Sequence, residues 1–209
     1  MTTVTLSQHA SSGYLSSSSV GGNYSEARDG TGTLAVGAGA AKAGQEKTSG
    51  GVHVCYQTFV AFDTTVPAGF TVSSVSLQVD FSTLSHTPEW IIEARSQSWL
   101  SGGLTSADFV AGASLSGLTL LASLDTTGIS THPQSLVSSG SFISSLNTSG
   151  QTEIMISSSK QRIGTAPVNN GDTAYVIEVT PHWQLLLEYN EVSSSYNERI
   201  VPTGNRWRA

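Results

Sequence analysis

Over much of the chain, apolar residues alternate with hydroxyl and amide residues, the period of strands with one face on a core and one in water. The clearest case is Val75, Leu77, Val79 and Phe81, interleaved with Ser76, Gln78, Asp80 and Ser82. Val52, Val54 and Tyr56 alternate with His53, Cys55 and Gln57, and the run then thickens into Phe59-Val60-Ala61-Phe62, which predicts burial on both faces. Pro67-Ala68-Gly69 ends that strand with a turn. The alternation returns over Trp90–Arg95, briefly at Ile154–Ile156, over Tyr175, Ile177 and Val179, and over Leu185, Leu187 and Tyr189. Short strands with turn-rich spacers predict an all-β domain, an antiparallel two-sheet jelly-roll-like β-sandwich. Its expected core is Phe59, Phe62, Val75, Leu77, Val79, Ile92, Ile156, Ile177 and Leu187.

Two segments depart from the strand period, Thr105–Val110 and Ser141–Leu146, and each predicts a single helical turn. In the first, Thr105 followed by Asp108 has the form of an N-cap with an acidic first turn, where side-chain oxygens satisfy free amides. From Ser11 to Gly51 the chain is rich in Ser, Gly and Ala, yet Tyr14, Leu15, Val20, Tyr24, Leu34 and Val36 recur through it. A plain linker has little use for such residues, so one or two short strands laid against the sandwich are expected. The chain then divides into an N-terminal arm (1–13), the sandwich (14–189) and a C-terminal docking tail (190–209).

At 209 residues, one β-sandwich can account for the whole sequence. Only 11% of residues are charged, so the surface must be built from Ser, Thr, Gly, Asn and Gln. The formal net charge is -6 and Lys and Arg form no run that could track phosphates, so nucleic acid is not an expected partner. No apolar stretch is long enough for a membrane span, and Met1-Thr2-Thr3-Val4 lacks the start of an export signal, so a chain made in the cytoplasm is expected, with no membrane partner. Cys55 is the only cysteine, lies in an apolar run and reads as packing.

Candidate chemistry is thin. Gly30-Thr31-Gly32-Thr33-Leu34-Ala35 has the letters of a dinucleotide loop, but Val36-Gly37-Ala38-Gly39 follows it where a helix should begin. The histidines at 9, 53, 86, 132 and 182 have no metal-ligand spacing, so neither a metal nor a cofactor is expected. Glu89, Glu93 and Asp108 near Trp90 and Trp99 could supply a glycosidase's carboxylate pair, although the weight of the sequence is against an enzyme. A carbohydrate-binding face centred on Trp99, with Gln97 and Asp108 reading hydroxyls, is the sharper alternative to Trp99 as a core cap. In the tail, Tyr196, Ile200 and Trp207 beside Arg206 and Arg208 have the composition of an interface.

The segment Tyr56–Asp63, followed by Val66-Pro67-Ala68-Gly69-Phe70 and the alternating strand through Leu77, resembles the DNRLRE-type, carbohydrate-binding-module-like jelly roll. Trp99–Asp108, Phe142-Ile143 and Leu185–Tyr189 are similar to later pieces of that pattern, whereas Val179–Trp183 departs from its arginine-proline approach to the last strand. Ser157–Pro167 resembles the version found in structural proteins of tailed bacteriophages and in proteins of their hosts. The resemblance implies a non-enzymatic virion protein, a capsid decoration or tail-associated subunit that binds a preassembled lattice. Its partners would be other virion proteins and further copies of itself. The alternative is a carbohydrate-binding adhesion module for a cell-surface polysaccharide.

Overall fold

A computed structural model describes residues 1–38, 42–81, 89–129, 133–168 and 178–192, the last segment by backbone alone up to residue 182. In chain order its strands are β1 (Thr2–Ser7), β2 (Gly13–Ser18), β3 (Thr33–Ala38), β4 (Gly44–Lys47), β5 (His53–Asp63), β6 (Phe70–Phe81), β7 (Ile91–Ser96), β8 (Leu120–Asp125), β9 (Gln134–Ser135), β10 (Val137–Ser138), β11 (Gln151–Ser158) and β12 (Glu178–Glu191). Two short helices, α1 (Tyr24–Asp29) and α2 (Ser159–Ile163), and several 3-10 turns lie between them.

All strand pairs are antiparallel and form two sheets. The smaller runs β1-β12-β6-β9, and the larger runs β10-β8-β7-β11-β5-β2-β3, with β4 also paired to β5. If β1, β5, β6, β7, β8, β9, β11 and β12 are taken as eight successive strands, the small sheet holds the first, eighth, third and sixth. The large sheet holds the second, seventh, fourth and fifth as neighbours. That interleaving is the double Greek key of a jelly roll. β2, β3 and β4 are additions between its first two strands, built from the Ser/Gly-rich segment.

The sandwich interior follows from side-chain alternation. β6 sends Val75, Leu77, Val79 and Phe81 inward and leaves Ser76, Gln78 and Asp80 half-exposed on the other face. Trp183, Leu185 and Leu187 of β12 join them against Val60, Phe62, Ile92, Ile154 and Ile156 of the large sheet. The turn into β6 closes with the Phe70 amide donating to Pro67 O, and Gly69 takes the positive φ of 84° that this turn requires.

Several expectations change in detail. Phe59 is buried, but not beside Phe62: three residues apart on a strand, the two rings point to opposite faces. Phe59 belongs to a second apolar cluster on the outside of the large sheet, with Leu15, Ala61, Trp99, Leu115 and Met155. Leu100, Leu104, Phe109, Val110 and Leu118 pack over this cluster, and every residue from His53 to Phe62 is buried. The expected N-terminal arm contains β1, whose Val4 and Leu6 pack against the core while it pairs with β12. The strand at Leu120–Asp125 and both α-helices were not anticipated, and Ile177 lies outside the described residues. The two single helical turns are present, at Ser106–Asp108 and Ile143–Ser145.

Candidate functional site

The chemistry-bearing side chains concentrate on the outer face of the large sheet, beneath its covering loops. Trp99 follows β7 and turns inward: it is 4% exposed, with its ring edge-on to Phe59 at 6.0 Å between centroids. Of the two readings of Trp99, core cap and sugar platform, the buried ring fits the core cap, in one cluster with Leu15, Phe59, Ala61, Leu115 and Met155. The carboxylate of Glu153 on β11 holds it in place, accepting the backbone N–H groups of Trp99 and Leu100. Two free amides converging on one carboxylate are a charge-assisted cap for the 3-10 turn that begins there.

Gln97 is half-buried and its backbone N–H reaches Glu153 O at 3.4 Å. Asp108 sits elsewhere, on the turn that contacts β3. Its Oδ2 accepts the Thr105 N–H at 2.8 Å and the Thr105 hydroxyl at 2.9 Å, so the carboxylate is committed to its own turn. Trp99, Gln97 and Asp108 are not brought together as a hydroxyl-reading set. The space beside Trp99 is instead an open pocket of about 390 Å³ lined by Leu100, Ser101, Asn147, Gln151 and Glu153. The tail residues Tyr196, Ile200, Arg206, Trp207 and Arg208 lie outside the described residues.

The carboxylates considered for acid–base chemistry are also separated. Glu89 is exposed, whereas Glu93 is buried on β7 between two arginines. Burial pushes the Glu93 carboxyl upward, but bonds from Arg162 and then Arg95 outweigh it and hold the group below the ordinary glutamate value. A carboxylate held ionised by two cations is a poor proton donor.

No family model and no curated protein matches the chain.

The rest of the outer layer is stitched by side chains that sequence reasoning did not single out. Gln57 on β5 treats the backbone of Val110 as a strand would: its Nε2 donates to Val110 O at 2.6 Å and its Oε1 accepts from Val110 N at 2.9 Å. Arg28 of α1 donates to Gln161 O and Arg162 O of α2, and Gln161 Nε2 donates back to Arg28 O. Gly112 lies so close that a Cβ would stand 2.6 Å from both the Arg28 side chain and Gln161 O, which accounts for a glycine there. The loop Gly30–Ala35 leaves α1 and enters β3, with Gly30 as the left-handed C-cap at φ 71°. This is the reverse of the strand-to-helix order of a phosphate cradle.

Cys55 is fully buried near Tyr24, and burial pushes its thiol well above the usual range. His53 is buried against the same tyrosine, 5.5 Å between ring centroids, and burial, then Lys47, pulls its imidazole below the ordinary value. Among the described residues, no three His, Cys, Asp or Glu side chains gather in a way that could hold a metal ion. A different feature remains open: β3 is the last strand of the large sheet, and no described strand pairs with its outer edge.

Proposed function

We propose that this chain is a non-enzymatic structural protein of a tailed-bacteriophage virion, a capsid decoration or tail-associated subunit that joins a preassembled lattice. The observation that carries the reading is the outer edge of β3. A free strand edge offers unpaired N–H and C=O groups to another chain, and soluble monomers usually blunt such edges with charge, proline or a cover. β3 has the sequence Thr-Leu-Ala-Val-Gly-Ala, with no charge or proline, and Val36 is 53% exposed. The uncharged stretch runs from Gly30 to Ala41, so β3 can pair antiparallel with β3 of a second copy about a two-fold axis without opposing like charges. The resemblance to DNRLRE-type domains supports the setting. The use of Glu93, Glu153 and Asp108 as structural bonds favours assembly over catalysis.

The test is incorporation. The chain should sediment with virions from the lysate that produces it, in a copy number matching the particle's symmetry. Val36→Lys should fold normally but lose self-association and be depleted from particles. Full incorporation of Val36→Lys, or absence of the wild-type chain from every particle, would overturn the reading.

A second reading, a glycan-binding module, is favoured by the open pocket beside Glu153. Asn147, Gln151, Ser101 and Glu153 line it, residue types whose amide, hydroxyl and carboxylate groups read sugar hydroxyls. A glycan array on the purified chain, with Glu153→Gln and Gln151→Ala as controls, separates this reading from assembly.

A further inference from the structure

The helix α1 is fastened to the outer layer at two points. At its C-terminal end Arg28 donates to the carbonyls of Gln161 and Arg162 on α2. At its N-terminal end the Tyr24 hydroxyl donates to Gln45 Oε1 at 2.7 Å, and the Tyr24 ring stands edge-on to His53. Between these points Ala27 is fully buried. A helix of six residues is not stable alone in water, so α1 stays formed only while it is docked.

His53 is the floor of the N-terminal point. It is 6% exposed, and its backbone is pinned to the residue that follows β2: the Ser19 N–H donates to His53 O at 2.8 Å, and the His53 N–H donates to Ser19 Oγ at 3.0 Å. Its Nδ1 is buried with no hydrogen-bond partner among the described residues. A neutral imidazole can leave that nitrogen bare as an acceptor. An imidazolium carries a proton on both nitrogens and needs an acceptor for each.

The charged and titratable groups around the ring do not supply one. On β4, Lys47 pairs directly with His53, while Glu46 accepts from the Tyr56 hydroxyl. On α1, Glu26 accepts the Val20 N–H at 2.7 Å, and Asp29 lies 3.5 Å from Nη1 of Arg28. β5 adds the fully buried thiol of Cys55, and β2 with the residue after it adds only Ser17 and Ser19. A buried charge with a lysine opposite and no bonded carboxylate is relieved by reaching water, and Tyr24 is the side chain packed against it.

We infer that His53 is an acid-sensitive latch for residues 19–27: the neutral ring seats Tyr24, and the protonated ring drives the start of α1 off the sheet. The Arg28 contacts lie at the other end of the helix, so the opening is local and hinged there. Its sign is fixed. Burial, and then Lys47, hold the docked ring below the ordinary histidine value of about 6.5, so the latch is shut above that pH and opens as pH falls from there through the lower docked value. This inference is independent of the virion reading.

Hydrogen exchange on the full chain tests it, with rates normalised to those of the unstructured peptide at each pH. Relative to β6, amides of 19–27 should lose about tenfold in protection between about pH 7.5 and about pH 5, the range in which histidine changes charge. His53→Gln carries no charge at either pH and should show no such loss. Titration of the His53 ring by NMR needs no variant: it should titrate below its ordinary value, with the Tyr24 ring signals moving in step. Protection of 19–27 that holds or rises in acid, the latter by attraction of the cation to the Tyr24 ring, would overturn the inference. An equal loss in His53→Gln would overturn it too, by assigning the effect to Glu26 or Asp29, and so would a His53 that titrates at or above the ordinary value.

Discussion

The guanidinium of Arg162 clasps the carboxylate of Glu93 as a fork, with Nε 2.9 Å from Oε2 and Nη2 2.8 Å from Oε1. Arg95 adds a bond from Nη2 to Oε2 at 3.0 Å, so one carboxylate ties α2 to the outer face of β7. Glu93 and Arg95 are almost wholly buried, whereas the Arg162 side chain keeps 30% of its exposure.

Glu93→Gln should therefore cost about 3 kcal/mol in denaturant unfolding, the low end for breaking a buried ion pair, because Arg162 retains contact with water. Arg162→Gln should cost less, since Arg95 stays bound. The pH dependence has a fixed sign. The folded-state value is depressed, so the stabilisation is complete above the ordinary glutamate pKa of about 4.3 and disappears as pH falls through the lower folded value. Part of the wild-type loss of stability on acidification should be missing in Glu93→Gln. Parallel pH curves for the two proteins would show that the carboxylate does not titrate in this way.

Gln57→Leu keeps the size of a buried side chain but removes both bonds to Val110. Unfolding should become easier by about 1–3 kcal/mol, the cost of leaving such groups unsatisfied. The effect should be local as well as global: amides of 105–118 should exchange faster while those of β6 follow global stability alone. Uniform change across the chain would mean that Gln57 does not hold the cover down.

The alternation in β6 made its facing and its core residues legible, and the Thr105 and Asp108 spacing made the capped turn legible, because both signals are local. Placing Phe59 and Phe62 in one core overlooked that three residues along a strand change faces. The covering layer was less accessible. It depends on contacts such as Arg28 with Gln161, 133 residues apart, which no period records. The run Leu118–Leu124 that yields β8 has apolar residues on successive positions, where strand and buried loop look alike. Trp99 shows the limit most clearly. A tryptophan at a strand end among Ser and Gly reads equally as a core cap and as a sugar platform, and only the loop that buries it chooses the core.

Two separate clusters should behave as separate energetic units. Leu77→Ala, inside the sandwich, should cost ~2 to 5 kcal/mol, and Phe59→Ala, outside the large sheet, about 3–5 kcal/mol. Their double mutant should be additive within about 0.5 kcal/mol, whereas Phe59→Ala with Met155→Ala, which share a cluster, should not be. Strong coupling between Leu77 and Phe59 would mean that the two cores open as one.

Trp99→Ala separates the two uses that a tryptophan beside a polar pocket can have. The ring is buried, stands edge-on to Phe59 and shares its cluster with Leu15, Leu115 and Met155, so truncation should cost about 3–5 kcal/mol and loosen the 100–118 cover. Trp99→Phe should recover much of that loss, because an aromatic edge can still meet Phe59. A sugar platform would give the opposite pattern: unfolding nearly unchanged in both variants, with glycan retention lost in Trp99→Ala. Measuring both properties on one preparation decides between them, because the Glu153 carboxylate holds the backbone of Trp99 and Leu100 whatever ring is present. A stability loss below about 0.5 kcal/mol, the range of ordinary surface substitutions, would sink the core assignment and return Trp99 to the surface.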